Sequence, residues 1–232
     1  MGAAATRVAI ALDTGDLGEA ERMIEATERQ ADLYKVGSIL FTAAGPAAID
    51  LVTSRGKQVF LDLKFHDIPN TVAGAAAGAA SRGVFMLTVH CAGGLEMMRA
   101  ALKGAETGSG RIVGRSRPKI IGVTVLTSLA GRGDTAGAVL DYARDAVAAG
   151  VDGVVCSPLE VGQVKRGFGK KLLTVVPGIR LGGQASDDQA RVGSPGQAAR
   201  DGADFIVVGR SVTASDDPAG ALARVLGEIQ GA

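Results

Sequence analysis

The feature that most constrains the fold is a regular alternation of apolar strands and amphipathic helices along the whole chain. Most of the short β-branched runs are apolar at nearly every position, as in strands buried on both faces of a parallel sheet. Strands are predicted at residues 7–12, 33–36, 58–63, 84–89, 120–126, 153–155, 172–176 and 205–208. Ala-rich helices are predicted at residues 17–30, 43–54, 71–81, 95–106, 135–148, 159–167, 195–201 and 218–229.

Eight strands alternating with eight helices in 232 residues predict a single-domain (β/α)8 TIM barrel that covers residues 1–232. Successive strands begin roughly 20–35 residues apart, so no interval is long enough for a second domain. An open doubly wound sheet is the alternative. That fold is less favoured because its first strand is typically followed by G-x-G-x-x-G, whereas here the first strand runs into ALDTGD.

Composition excludes several classes of partner. With 25 basic and 24 acidic residues the net charge is +1, which indicates no nucleic-acid or anionic-membrane surface held by bulk charge. No segment free of charged residues is long enough to span a bilayer, and the N-terminus does not resemble a signal peptide. The two cysteines, Cys91 and Cys156, lack the spacing of a zinc site, and we expect a cytoplasmic protein.

Polar side chains stand where the predicted strands end, which is where barrels of this type carry their chemistry. Charged or hydroxyl groups follow nearly every strand, namely Asp13, Lys35, Asp62, Lys64, His90, Thr127, Ser128, Ser157, Arg180 and Arg210. The sequence therefore predicts a functional site at the carboxyl ends of the strands.

The densest group follows the third strand. Asp62 and Lys64 are two residues apart, so both are expected on one face of the strand and in the barrel mouth. One interpretation is a structural ion pair, because two charges in a dry cavity are costly unless they are paired. The other is functional: with Asp13, Lys35 and Asp67 the pair forms an alternating array that keeps Lys64 protonated, ready to protonate a carbanion.

The loops after the last two strands are the usual phosphate site of such barrels, and here they carry Arg180 and Gly209-Arg210. Gly209 allows the backbone to approach an oxyanion, and Arg210 can bind one with two hydrogen bonds. The alternative interpretation of Arg210 is a solvated surface arginine. The polar, Gly-rich segment 181–191 is predicted to be a lid over the ligand.

The stretch DLKFHDIPNT, from Asp62 to Thr71, resembles the signature of the orotidine 5′-phosphate decarboxylase family. The D-x-K-x-x-D core is shared with sugar-phosphate decarboxylases and aldolases, and the extension I-P-N-T favours the orotidylate enzymes. Further matching motifs follow in the expected order over essentially the whole chain: ALD at Asp13, KVG at Lys35, VLTS at Thr127, PGIR at Arg180, DDQ at Gln189 and VGR at Arg210.

The resemblance implies decarboxylation of orotidine 5′-monophosphate (OMP) to UMP in pyrimidine biosynthesis, by a homodimer that uses neither cofactor nor metal. It implies that Lys64 protonates C6 and that Asp62 lies beside the substrate carboxylate. Lys35 and Asp13 would hold the ribose hydroxyls and anchor the array. Asp67 would enter the partner subunit's site.

The other substrate contacts implied by the resemblance lie around the rim. They are Ile68 and Thr71 near Asp67, Thr127 at the pyrimidine, and Arg180, Gln189, Gly209 and Arg210 at the phosphate. Some relatives carry a serine where this chain has Ala130, so the pyrimidine contact is expected from Thr127 or Ser128.

Two other functions remain open at this point. One is a metal-dependent 3-keto-sugar-phosphate decarboxylase or hexulose-phosphate synthase on the same barrel. The other is a non-catalytic nucleotide-binding barrel that acts as a sensor, which would have little use for a lysine aimed at C6. Sensitivity to chelation and turnover of OMP distinguish the three.

Overall fold

Eight parallel strands close into a barrel in which each strand pairs with its neighbours in chain order and the last pairs with the first. The computed structural model describes residues 6–110, 116–128, 134–182 and 191–232. The predicted (β/α)8 barrel is confirmed, and the doubly wound alternative is wrong because an open sheet would leave two strand edges unpaired.

The strands lie close to their predicted positions. They are β1 Arg7–Ala11, β2 Leu33–Gly37, β3 Gln58–Phe65, β4 Met86–His90, β5 Lys119–Val123, β6 Gly153–Val155, β7 Leu173–Val176 and β8 Phe205–Val208. The strand β5 ends three residues before its predicted end. There the Thr124 hydroxyl donates to the Val155 carbonyl at 2.6 Å, and the Thr124 backbone N–H makes only a longer bond of 3.4 Å to the same oxygen.

The helices pack outside the strands, with one prediction corrected. They are α1 Leu17–Thr27, α2 Ser38–Ala44, α3 Ala47–Thr53, α4 Pro69–Ser81, α5 Gly94–Ser109, α6 Thr135–Ala149, α7 Val161–Phe168, α8 Pro195–Arg200, α9 Arg210–Thr213 and α10 Pro218–Gln230. The single helix predicted at 43–54 is two helices. Gly45 adopts a φ of 56° and Pro46 follows it, which ends one helix and starts the next.

The strand pleat determines what faces the inside of the barrel. Alternate side chains fill the interior with an apolar cluster that includes Ala9, Leu33, Phe60, Met86, Ile121, Val175 and Phe205. Two residues further along β2, β3 and β4 stand Lys35, Asp62 and Thr88. The pleat that fills the barrel therefore also directs Lys35 and Asp62 into its mouth, whereas Thr88 is fully buried and bonds to Asp62.

Helices α4 and α5 approach each other unusually closely. A Cβ atom at Gly104 or Gly108 would lie 2.1 or 2.2 Å from the carbonyl oxygens of Ala73 or Ala77. Such contact requires glycine on α5 and small residues on α4. It anchors α4, and with it the loop that joins β3 to this helix and carries Asp67.

Candidate active site

A cavity of about 440 Å³ opens at the carboxyl ends of the strands. Its floor is formed by inward-facing apolar side chains, and its wall carries both charged and apolar residues. The predicted site residues that line it are Asp13, Lys35, Asp62, Lys64, Thr127, Arg180, Gly209 and Arg210. Residues from separate strands and loops thus converge on one concave surface of the size that small ligands occupy.

The charged residues on one side of the cavity form two ion pairs. Lys35 Nζ lies 2.7 Å from Asp13 Oδ1, and Lys64 Nζ lies 2.8 Å from Asp62 Oδ2. The Lys64 side chain is 37% exposed and that of Asp62 is 13% exposed, so the lysine remains accessible to a ligand while its partner is mostly covered.

Gly37 makes room for the first of these pairs. A Cβ atom at this position would lie 2.8 Å from Lys35 Nζ and 3.2 Å from Asp13 Oδ1. Any side chain would therefore push the ammonium group or the carboxylate out of place, which explains why glycine follows Lys35 so closely in the chain.

The second pair lies on a bulge in β3. The pairing of β3 with β4 passes from Leu61 opposite Leu87 directly to Phe65 opposite Val89. Lys64 has a φ of 51° and is the one non-glycine residue with positive φ in the described part of the chain. Both Asp62 and Lys64 line the cavity, but the regular alternation from which we predicted a shared face is interrupted between them.

Sequence reasoning missed Thr88, which lies behind this pair. Its fully buried hydroxyl accepts a hydrogen bond from the Lys64 backbone N–H and donates one to Asp62 Oδ1, each at 2.9 Å. Threonine is common in strands because its β-branched side chain favours them, so the residue type alone did not indicate a place in the site. The available signal was its position, two residues after the inward-facing Met86.

The opposite side of the cavity is formed after β7 and β8. Arg180 and Gly178 follow β7, and α9 begins at Arg210 directly after Gly209. A Cβ atom at Gly209 would meet only the Ala11 Cβ, at 3.9 Å. Within the described residues there is therefore room for a side chain at position 209. If glycine is needed there, the reason is a ligand that approaches the backbone closely.

Arg191 joins the loops that follow β5 and β6. It is 6% exposed, and its guanidinium lies 2.6 Å from Glu160 Oε1. It also donates to the carbonyl oxygens of Val125 and Leu126, at 3.1 and 3.0 Å. The predicted lid ends at Arg191. Residues 183–190, with the predicted phosphate ligand Gln189, lie outside the described residues, as does Ala130.

Three predicted site residues do not reach the cavity of their own chain. Asp67, Ile68 and Thr71 are exposed, and Ile68 is 66% exposed. The Asp67 carboxylate accepts a hydrogen bond from the Ile68 backbone N–H at 2.7 Å. The loop before α4 and the first turn of that helix thus present these side chains outward rather than toward Lys64.

Two histidines lie next to the charged pair. The rings of His66 and His90 are 5.2 Å apart between centroids. Burial lowers the pKa of His90 below its ordinary value, and electrostatic interactions with His66 and Lys64 lower it further, against the opposing effect of Asp62. The lowered pKa favours the uncharged form of His90 beside Lys64.

The remaining candidate groups do not form a further site. Cys91 and Cys156 are free and buried, and burial raises the pKa of each thiol to about 12. Within the described ranges, no three His, Cys, Asp or Glu side chains are grouped so that they could hold a metal ion. The helices of those same ranges include none that is long and apolar enough to cross a membrane.

The sequence matches one protein-family model and is similar to enzymes of that family over most of its length. The model of the orotidine 5′-phosphate decarboxylase / HUMPS family matches residues 6–225. Orotidine 5′-phosphate decarboxylase from Anaeromyxobacter sp. (strain K) is 48% identical over 93% of this chain and 94% of its own. The enzyme of the same name from Moorella thermoacetica is 42% identical over 97% and 92%.

Solved structures agree with these matches. The crystal structure of orotidine 5′-phosphate decarboxylase from Lactobacillus acidophilus superposes with a TM-score of 0.83 at 35% identity, and the match covers 97% of this chain and 99% of that one. An uncharacterized conserved protein from Geobacillus kaustophilus superposes with a TM-score of 0.82 at 37% identity, covering 96% and 99%. The chain belongs to the orotidine 5′-phosphate decarboxylase / HUMPS family.

Proposed function

We propose that this barrel decarboxylates OMP to UMP in pyrimidine biosynthesis. Full-length relatives that are named orotidine 5′-phosphate decarboxylase, at 48 and 42% identity, support this assignment. The structural observation that carries it is the Lys64–Asp62 pair in the cavity, with an accessible ammonium group beside a covered carboxylate.

The chemistry requires a fixed positive charge beside the reacting carbon. When the bond between C6 and the carboxylate breaks, its electron pair remains on C6 as CO2 leaves. The Lys64 ammonium group stabilises that charge and then transfers a proton to C6, so that an N–H bond breaks as the new C–H bond forms. Solvent returns the proton to Lys64 after UMP leaves. Asp62 holds the ammonium group in place beside the substrate carboxylate.

The rest of the cavity binds the remainder of the substrate. Asp13 and Lys35 hold the ribose hydroxyls, and Thr127 or Ser128 contacts the pyrimidine. The phosphate lies on the opposite side, with Arg180, Gln189, Gly209 and Arg210. No cofactor enters this scheme, because the protein supplies both the stabilising charge and the proton.

The arrangement favours this reaction over a metal-dependent one, a distinction that matters because the family also includes the HUMPS branch. A divalent cation in the cavity would lie beside two ammonium groups, those of Lys35 and Lys64. Both oxygens of Asp62 are already bonded, one to Lys64 and one to Thr88.

A chelation experiment tests the proposed function. The purified protein, after exhaustive treatment with EDTA, is expected to remove OMP absorbance at its untreated rate and to leave 3-keto sugar phosphates unchanged. Activity that disappears on chelation and returns with Mg²⁺ would favour the metal-dependent alternative. Tight binding of UMP without turnover of OMP would favour the nucleotide sensor.

Replacing Arg210 with alanine tests the phosphate site. We expect the KM for OMP to rise roughly ten- to hundredfold, the worth of a hydrogen bond to a charged group. We also expect kcat to fall, since phosphate binding supplies energy to the reacting end of the substrate. Arg200→Ala, which removes an exposed arginine of α8 outside the cavity, is the control. Orotidine without its phosphate should be affected far less, and equal losses on both substrates would remove Arg210 from the phosphate site.

The assembly completes the proposal. Asp67, Ile68 and Thr71 face outward, as expected if they enter the site of a second copy in a homodimer. Partners other than a second copy and the substrate are not expected, since the net charge of +1 favours neither nucleic acid nor membrane. The two buried free thiols suit the reducing cytoplasm, where we place the protein.

A further inference from the structure

We infer that Thr88 is a positioning residue that holds Asp62 and Lys64 in their reactive arrangement. The inference rests on the proposed function and adds a residue that does not itself line the cavity. Thr88 is fully buried in the middle of β4, directly behind the Lys64–Asp62 pair.

The bulge in β3 gives Thr88 its role. Strand pairing skips from Leu61 and Leu87 to Phe65 and Val89, so Thr88 alone stands opposite the segment from Asp62 to Lys64. The backbone of β4 cannot pair regularly with that segment. The Thr88 side chain makes the bond in place of the β4 backbone: its hydroxyl accepts a hydrogen bond from the Lys64 backbone N–H at 2.9 Å. Without it, this N–H would lack a partner from β4.

The same hydroxyl determines the direction of the carboxylate. Because its oxygen accepts from the Lys64 N–H, its proton is free to donate, and it lies 2.9 Å from Asp62 Oδ1. The other carboxylate oxygen, Oδ2, accepts from Lys64 Nζ at 2.8 Å. A closed ring of hydrogen bonds thus passes from the Lys64 backbone through Thr88 and Asp62 to the Lys64 amine.

The ring explains how a strained residue can serve as the proton donor. Lys64 has a φ of 51°, a conformation that costs a non-glycine residue free energy unless its surroundings impose it. Thr88 imposes it from the backbone side, and Asp62 restrains the amine from the other. Without the hydroxyl, the Lys64 backbone N–H and the Asp62 carboxylate both lose their hydrogen bond to Thr88. The ammonium group is then no longer held where C6 would lie.

Replacing Thr88 with valine removes the hydroxyl and keeps the shape. We expect kcat for OMP to fall about a hundredfold, the usual effect of a misplaced catalytic group. The KM should change much less, because the phosphate, ribose and pyrimidine contacts remain. Thr88→Ser restores the hydroxyl and should recover most of kcat, which a role in packing alone would not predict.

Thr174 provides a matched control. It is fully buried in β7, and its hydroxyl likewise accepts a hydrogen bond from a backbone N–H and donates one to a carboxylate. Here the N–H and the carboxylate both belong to Asp204. That aspartate is also paired with a lysine, Lys165. Thr174→Val should therefore lower the midpoint of thermal unfolding about as much as Thr88→Val, with kcat unchanged.

Two results for the Thr88 variants would overturn the inference. Wild-type kcat in folded Thr88→Val, or a serine variant as slow as the valine variant, would show that the hydroxyl does not position the pair. If Thr88→Val does not fold, Thr88→Cys provides the test, because its thiol is only a weak hydrogen-bond donor and acceptor. A wild-type kcat in Thr88→Cys would contradict the positioning role.

Crystal structures separate this inference from the proposed function, since they need no turnover. In Thr88→Val, Lys64 Nζ should leave Asp62 Oδ2 or Lys64 should leave its positive φ. An unchanged arrangement would refute the positioning role whatever the wild-type enzyme does with OMP. Absence of decarboxylation by the wild type would instead refute the proposed function alone.

Discussion

Replacing Lys64 with alanine is expected to abolish the decarboxylation of OMP. The substitution removes both the proton donor and the positive charge that stabilises the carbanion at C6. General acid catalysis alone contributes about 10²–10⁴-fold, so less than about a hundredth of the wild-type rate should remain. The rate is measured from the loss of OMP absorbance, and circular dichroism verifies the fold.

The fold should survive this change, because the Lys64 side chain points into an open cavity rather than into the core. A matched control is Lys57→Ala, which removes another lysine that pairs with an aspartate, Asp32, just before β3 begins. It should leave activity unchanged. Activity above a hundredth of wild type in folded Lys64→Ala would remove this residue from the role of proton donor. Binding of UMP should not improve, since Asp62 then lacks its cationic partner.

A mixture of two inactive variants is expected to recover roughly a quarter of the wild-type activity. The variants are Lys64→Ala and Asp67→Asn, combined under conditions that exchange subunits. In a mixed dimer, one site collects both substitutions, while the other takes Lys64 from one chain and Asp67 from the other. Random exchange makes about half of the dimers mixed, each with one native site of two, by the symmetry of a twofold dimer.

The design depends on the position of Asp67 in the structure. Its carboxylate is exposed and lies outside the cavity that holds Lys64 of the same chain. The control is each variant taken alone through the exchange procedure, which should remain inactive. If mass spectrometry confirms mixed dimers and the mixture is still as inactive as its parents, Asp67 acts within its own subunit and the composite site is wrong.

The barrel could be predicted because apolar strands and amphipathic helices alternate without interruption along this sequence. Errors occurred where a local bond outweighed the hydrophobic pattern. Gly45 and Pro46 divide one predicted helix into two, because a φ of 56° cannot continue a helix. The strand β5 stops where Thr124 bonds to the next strand with its side chain. The short helix α9 follows β8 in a segment too brief for any periodicity to appear.

The site could be predicted in part for a geometric reason. Side chains at the carboxyl ends of barrel strands must meet, so Asp13, Lys35, Asp62 and Lys64 could be placed together without coordinates. The bulge that places Lys64 could not be predicted, since it arises from the register between β3 and β4 rather than from either strand alone. Thr88 was missed because its role depends on that register.

The layer of side chains that ends the barrel core is also the floor of the cavity. Ala11, Phe60, Val175 and Val207 belong to the buried interior cluster and line the cavity as well. A larger residue at Ala11 would add apolar contacts inside the barrel and at the same time occupy space that the substrate needs. Substitutions at these positions that fill the barrel interior for thermal stability therefore also reduce the space for the substrate. Stabilising substitutions are better sought between the strands and the outer helices, where added volume does not enter the cavity.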